Sequence, residues 1–300
     1  MKKLLMMTAA AGLAASASFA ADLPSRKAPP IAPPPPPPMW TGFYVGLNAG
    51  GTWGNNNLNV YSYPLFVNNA QFGNPAILDS AVLSGAAWFP GGNSGGFIGG
   101  GQIGYNLQFG GSFVAGLEAD IQGVAGGSRT FNSVNAVPVN GANFPVSTFV
   151  NAQQHLDYVG TVRGRLGWLF TPTLMVYGTG GLAYGGVSAN FGVLQTHFNN
   201  GGQLTSGAAT GAVADTRVGW TAGGGVEWMF MPNWSAKVEY LYYDLGDVRT
   251  SPSALFSAFP DGRVRYGVAP EMRTSFRGNI VRAGLNYHFN WGAAPVIASY

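Results

Sequence analysis

The stretch Phe113-Val114-Ala115-Gly116-Leu117-Glu118-Ala119-Asp120-Ile121-Gln122-Gly123 alternates with a period of two. Successive side chains of a strand point to opposite faces, so Phe113, Ala115, Leu117, Ala119 and Ile121 share one side, and Glu118, Asp120 and Gln122 the other. The parity recurs downstream. Val162, Leu166 and Trp168 oppose Thr161, Arg163 and Arg165, and Val218, Trp220, Ala222, Val226 and Trp228 oppose Arg217 and Glu227. Trp234, Ala236, Val238 and Tyr240 oppose Lys237 and Glu239, while Val281, Ala283, Leu285, Tyr287 and Phe289 oppose Arg282, Asn286 and His288. One face is apolar and ends in aromatics. The other carries the mid-strand charge. A soluble sandwich shows the same parity, so a second discriminator is needed.

Segment and connection lengths supply it. Eight alternating segments cover 42–54, 96–108, 113–123, 156–169, 174–187, 216–229, 234–245 and 276–289. A tilted strand crosses a bilayer in about 9 to 11 residues. Three connections are short: Phe109-Gly110-Gly111-Ser112, Phe170-Thr171-Pro172-Thr173 and Phe230-Met231-Pro232-Asn233. The others, 55–95, 124–155, 188–215 and 246–275, are polar stretches of 28 to 41 residues. Structureless loops that long are uncommon in compact soluble domains. Short turns at one end, long loops at the other, an even strand number and aromatics at strand ends are the marks of an outer-membrane barrel.

Composition agrees. Of 300 residues only 9% are charged, against roughly 25% in soluble domains. Hydrophobic residues make up 46%, which excludes disorder, and the absence of cysteine excludes disulfides, thiol catalysis and Cys-ligated metal. A net charge of +3 gives no argument for nucleic acid. Gly99–Gly104 and Gly219–Gly225 lack the following helix that a phosphate loop needs.

The N-terminus reads as an export signal. Lys2 and Lys3 precede an apolar stretch from Leu4 to Phe19, and Ser18-Phe19-Ala20 places cleavage after Ala20. No later run of 18 apolar residues exists. Residues 21–39 form a spacer, with eight prolines between Ala28 and Pro38, that favours polyproline II over sheet. The barrel is expected over 40–289, followed by an extension over 290–300.

The Trp40-Thr41-Gly42-Phe43-Tyr44-Val45-Gly46 start, the Tyr177-Gly178-Thr179-Gly180-Gly181-Leu182-Ala183-Tyr184-Gly185 segment, and Val226-Glu227-Trp228 with Lys237-Val238-Glu239-Tyr240-Leu241-Tyr242-Tyr243-Asp244-Leu245-Gly246 carry a family likeness. Together they resemble the small outer-membrane immunogenic, porin-like proteins of rhizobial and Brucella-type alphaproteobacteria, within the OmpA-like eight-stranded barrels. The likeness spans residues 40–300 and is specific for family, much less so for role. Arg282-Ala283-Gly284-Leu285-Asn286-Tyr287-His288-Phe289 also resembles the terminal signal read by the barrel-assembly machinery. Gly284, Tyr287 and Phe289 carry it, with Tyr300 as the rival terminal aromatic.

Antiparallel pairing brings Glu118 and Asp120 beside Arg163 and Arg165, Glu227 near Lys237, and Glu239 near Arg282. Four acids balance four bases. An eight-stranded barrel is just wide enough to be filled by side chains, so these eight form a structural lumen network, with a gated narrow pore as the alternative. His155, His197 and His288 are scattered in or beside loops or at the periplasmic end, with no acid–base constellation and no metal set. The first loop, with Asp79 and Tyr61, Tyr63, Phe66, Phe72, Trp88 and Phe89, is either adhesive or self-packed. The fourth sets Arg249, Arg263, Arg265 and Arg273, with Arg277 just inside the strand, against Asp247, Asp261 and Glu271. These bases either clamp lipopolysaccharide phosphates or are ordinary solvated loop charge.

The expectation is therefore an all-β, eight-stranded antiparallel transmembrane barrel of a Gram-negative outer membrane, with short periplasmic turns and long extracellular loops. It is expected to be structural rather than enzymatic and to use no cofactor. A small-solute pore and a surface adhesin or receptor are the alternatives. Its expected partners are outer-membrane lipid and lipopolysaccharide, the assembly machinery, and peptidoglycan or a host surface.

Overall fold

A computed structural model describes residues 39–68, 75–251 and 253–289. Ala20, the proline run through Pro38, Phe72, Tyr300 and the 290–300 extension lie outside the described residues. Among the described residues, ten strands and one helix follow in chain order: β1 (Gly42–Val67), α1 (Ala76–Gly85), β2 (Ala87–Phe109), β3 (Phe113–Ala125), β4 (Arg129–Val137), β5 (Val146–Thr171), β6 (Leu174–Phe198), β7 (Leu204–Met231), β8 (Trp234–Thr250), β9 (Leu255–Ala258) and β10 (Val264–Phe289).

All pairings are antiparallel. β1 pairs with both β2 and β10, so the sheet closes on itself in the order β1-β2-β3-β5-β6-β7-β8-β10. Closure leaves the lower wall without an edge. The two remaining strands sit higher. β4 pairs with the upper part of β5 above the end of β3, and β9 pairs with the start of β10 above the end of β8. β9 also meets β7 at Ser206 and Ala258. Above the point where β3 and β8 stop, β4 and β9 therefore continue the wall.

The expected strand limits and the loops over 55–95, 124–155, 188–215 and 246–275 require correction. β1, β5 and β10 each run 26 residues, β6 runs 25 and β7 runs 28. Most of the supposed loop residues extend the strands above the expected bilayer limits, and α1, β4 and β9 account for much of the rest. The physical reason is an inversion of burial along the wall. In the lower part the apolar residues face outward: Leu47, Leu117, Leu166 and Val218 are 74%, 67%, 70% and 68% exposed. In the upper part Leu58, Val60, Phe131, Val150, Phe191, Val193 and Val268 turn inward to form a core, while Asn132, Asn151, Gln153 and Asn190 face out. The lower wall suits lipid outside and a polar lumen. The upper wall is a collar with an oily centre and an outer face that mixes polar and apolar side chains.

The inversion is built partly by irregularity. β5 shifts register against β6 between Leu156 and Tyr158. Below the shift Thr161, Arg163 and Arg165 face inward, and above it Gln154, Ala152 and Val150 do. One bulged residue thus swaps the parity of the strand.

Helix α1 packs into the collar. Ile77 and Ala81 join the apolar core. The Ser80 hydroxyl donates to the Pro138 carbonyl at 2.8 Å, the Ser84 and Thr148 hydroxyls meet at 2.7 Å, and the Gln195 amide donates to the Ala81 carbonyl at 2.7 Å. These bonds tie the helix to the connection after β4, to β5 and to β6.

Candidate functional site: a charged lumen between two apolar layers

The lumen is stacked in layers. At the short-turn end Trp40, Val114, Leu169, Met175, Tyr177 and Met229 form an apolar cluster. Trp40 is fully buried; its indole donates to the Pro172 carbonyl at 2.9 Å and its ring meets His288 edge-on at 5.8 Å. Above the charged level, Ile98, Val159, Ala183, Leu241, Phe276 and Ile280 belong to a second apolar layer, and the collar core lies beyond it.

Between these layers all eight charged residues named from the sequence are gathered, each no more than 4% exposed. Arg163 bonds Glu118 and reaches Asp120 and Glu239 at 2.9 Å each. Arg282 bonds Asp120 at 2.8 Å and Glu239 at 2.6 Å. Arg165 bonds Glu227 and lies 3.4 Å from Glu118. The pairing of Glu227 with Lys237 is the exception. The two are register partners, but the Lys237 ammonium donates to both Glu118 oxygens at 2.8 Å. Glu227 instead accepts from Ser235 at 2.6 Å and Asn286 at 2.7 Å.

Aromatic and amide groups complete the layer, and no sequence pattern marked them out. Tyr44 donates to Glu118 at 2.6 Å, Tyr177 donates to Glu239 at 3.0 Å, and the Arg165 guanidinium lies 4.2 Å from the Tyr177 ring centroid. His288 meets Ser235 at 2.8 Å. Both tyrosines sit on the inward face of Gly-rich strands, where alternation alone does not separate a ligand of a carboxylate from a packing residue.

The outward face of this level carries aromatic pairs near the turns: Phe43–Tyr105 at 4.8 Å, Trp168–Phe170 at 5.7 Å, Trp228–Phe230 at 5.9 Å and Trp234–Tyr287 at 5.2 Å. Tyr287 also meets Phe289 at 5.1 Å, while Gly284 lies on the inward side against Lys237. Amphipathic rings collect at the membrane–water boundary.

Elsewhere the histidines are on strands rather than loops. His155 lies between Ser128, 3.2 Å from Nδ1, and Asp157, 3.2 Å from Nε2. This surface trio joins residues 27 positions apart, and the sequence reading did not bring them together. His155 and Asp157 are 36% and 52% exposed, which leaves water to compete for every bond in it. Of the fourth-loop bases, Arg273 pairs with Asp247 at 3.1 Å, Arg277 with Asp244 at 3.3 Å and Arg263 with Asp261 at 2.7 Å. Arg265 is buried instead. In the first loop, Tyr61, Tyr63 and Phe66 extend β1 and are exposed, whereas Phe89 packs on Phe131 at 5.3 Å.

Comparison with known proteins agrees with this architecture. Residues 7–289 match the family model described as outer membrane protein beta-barrel domain. The 31 kDa outer-membrane immunogenic proteins of Brucella melitensis and Brucella suis are each 34% identical over 289 residues, covering 96% of this chain and all of the relative. Among solved structures, Neisserial surface protein A is similar at 13% identity, with 83% of this chain and 98% of that one covered and a TM-score of 0.29. The lipid-facing apolar band therefore lies in an outer membrane, with its lipid and lipopolysaccharide, and the chain belongs to the outer-membrane β-barrel protein family.

Proposed function

We propose that the protein is a non-conducting structural barrel that supports the outer membrane and holds a rigid collar above its outer surface. One observation carries this reading: the four acids and four bases interlock between two apolar layers. An ion entering such a lumen must shed its water against oily side chains and then displace buried, fully paired charges. Each paired charge left unmatched costs about 3–5 kcal/mol. A planar-bilayer recording of the folded mature chain, residues 21–300, tests it. The expectation is no current steps. Reproducible steps that change in Arg163→Ala would make the protein a pore and the network its gate.

A second reading, surface recognition, has its own observation. Val134, Phe149 and Leu194 lie in register across β4, β5 and β6 on the collar's outer face. They are 69%, 45% and 41% exposed. Apolar side chains in a row on a water-facing sheet suit a partner. Loss of cell-surface attachment in a Phe149→Ser, Leu194→Ser double variant, with the barrel still heat-modifiable, would favour it. Catalysis is not part of either reading. Ester hydrolysis by the purified chain that disappears in Ser128→Ala would overturn that exclusion.

Assembly fits the same picture. Gly284, Tyr287 and Phe289 on the closing strand are the groups we assign to recognition by the assembly machinery. Slower membrane insertion of Phe289→Ala than of a chain ending at residue 289 would assign the signal to Phe289 and not to Tyr300.

A further inference from the structure

Gly192 of β6 is a glycine that the fold does not require. Its φ lies outside the left-handed region, and its register with β5 and β7 is unbroken. A Cβ added there would meet only the Thr210 methyl, at 3.8 Å. A glycine inside a strand costs stability relative to a side chain that packs. Where neither a bulge nor crowding explains it, close approach of a ligand does.

The residues around the gap are sorted by row. The row through Gly192 joins Asn132, Asn151 and Thr210 across β4, β5 and β7. On one side of it lie Gln153 and Asn190, and on the other Val134, Phe149 and Leu194. The four amides are exposed on the outward face. Asn151 donates to Asn132 at 2.6 Å, a bond that leaves each amide with a donor and an acceptor to spare. Two shallow hollows of about 390 and 350 Å³ adjoin here and share Asn151, Gly192 and Thr210. The segments 130–136, 147–153, 190–196 and 206–212 contain no Asp, Glu, Lys, Arg or His.

We infer that this face binds a neutral saccharide, with a pyranose ring seated over Gly192, its hydroxyls on the Asn132, Asn151 and Asn190 amides and its apolar C–H face toward Phe149. A face without charge offers an ionic ligand no counter-charge. Planar amides present paired donors and acceptors, which match neighbouring hydroxyls. The hollows have the size of small-ligand sites, whereas a protein partner covers about 800 Å² on each side. The saccharide is the uncharged part of the glycan on surrounding lipopolysaccharide. On β5, Trp168 to Tyr158 already fills the roughly 9–11 residues of a bilayer crossing, and Asn151 lies about 23 Å farther along the strand. There the face looks sideways from the wall, into the sugars of neighbouring lipopolysaccharide. The inference goes beyond the readings above: it requires neither a closed lumen nor attachment to another cell.

Saturation-transfer NMR of the folded mature barrel tests it, in a zwitterionic detergent that carries no sugar headgroup. The probe is lipopolysaccharide core oligosaccharide, released by mild acid and stripped of phosphate. Transfer from the protein to sugar ring protons is expected. Gly192→Val fills the gap with a strand-favouring side chain, so it should keep the barrel heat-modifiable and lose the transfer. Asn151→Ala should also lose it, which guards against a packing defect in the valine variant. Arg249→Gln, on the exposed face of β8, should leave it unchanged. No transfer in the unaltered barrel, or equal transfer in Gly192→Val, would overturn the site. So would lost cell-surface attachment in Gly192→Val without any sugar signal, which would give the face to a protein partner and leave the surface-recognition reading standing.

Discussion

Lys237 and Glu118 bond across the lumen from strands that lie four places apart in the ring of eight, while Glu227, the register partner of Lys237, takes Arg165 instead. Charges in this barrel are thus satisfied both by register neighbours, as in Glu118–Arg163 and Glu239–Arg282, and across the lumen, as in Lys237–Glu118. The bonds act as struts that fix the barrel's cross-section. Glu118 is the busiest strut, receiving Tyr44, Arg163, Arg165 and Lys237.

That asymmetry sets an order of stabilities. Glu118→Gln removes the charge that four donors share, so it should destabilise by at least the roughly 3–5 kcal/mol of a broken buried pair. Lys237→Met leaves Glu118 with two arginines and a tyrosine and should cost less. Urea unfolding of the barrel in lipid vesicles measures both. A larger loss in Lys237→Met would mean that the network is a set of independent pairs.

A second test concerns close packing in the same layer. Tyr44 and Gly104 are register partners, and a Cβ on Gly104 would sit 2.7 Å from Cε1 of the Tyr44 ring. The glycine lets the ring lie against the wall with its hydroxyl on Glu118. Gly104→Ala should lift the ring and cost about 1–3 kcal/mol, the usual range for overpacking. The strut predicts that Tyr44→Phe brings part of the same loss without the clash. Vesicle unfolding of both variants checks this, and a neutral Gly104→Ala would sink it.

The lower barrel was largely legible in the sequence because lipid outside and charge inside give strict alternation: Leu117 against Glu118, Leu166 against Arg165, Val238 against Lys237. The collar was not. Above the membrane the same strands face water outside and oil inside, and both sides mix small polar and apolar residues, as in Val146-Ser147-Thr148-Phe149-Val150. The shift between Leu156 and Tyr158 then breaks the parity count where strand and supposed loop join. Membership of the charged layer could be read from alternation, because each charge sits on an inward position. Partner choice could be read for neighbouring strands, as for Glu118 and Asp120 with Arg163 and Glu239 with Arg282, but not for the cross-lumen bonds of Lys237 and Glu227, which depend on side-chain reach and not on register.

The helix in the collar gives a prediction with a local readout. Ile77 is fully buried in the collar core. Ile77→Ala should cost about 2–5 kcal/mol of collar stability, as for other large-to-small core changes. The charged lumen and the lower strands make no use of this side chain. Trypsin should therefore cut at Arg129 sooner while the membrane-protected fragment stays heat-modifiable. Simultaneous loss of both would show that collar and barrel unfold as one unit.

The last prediction concerns pH and the collar alone. Burial, with the Arg265 charge acting in the same direction against the Pro145 hydrogen bond, lowers the His197 pKa below the ordinary imidazole value. In the unfolded chain the group titrates near 6.5. As pH falls below that value the unfolded state takes up the proton first, so the folded collar loses stability until its own lower pKa is passed. Above about pH 7 the contribution is fully present and flat. The protection factors of β6 amides, taken against the intrinsic exchange rate at each pH, should therefore fall between about pH 7 and pH 5. His197→Gln, which cannot take a proton, should remove that slope. An unchanged slope in the variant would assign the acid sensitivity to another group.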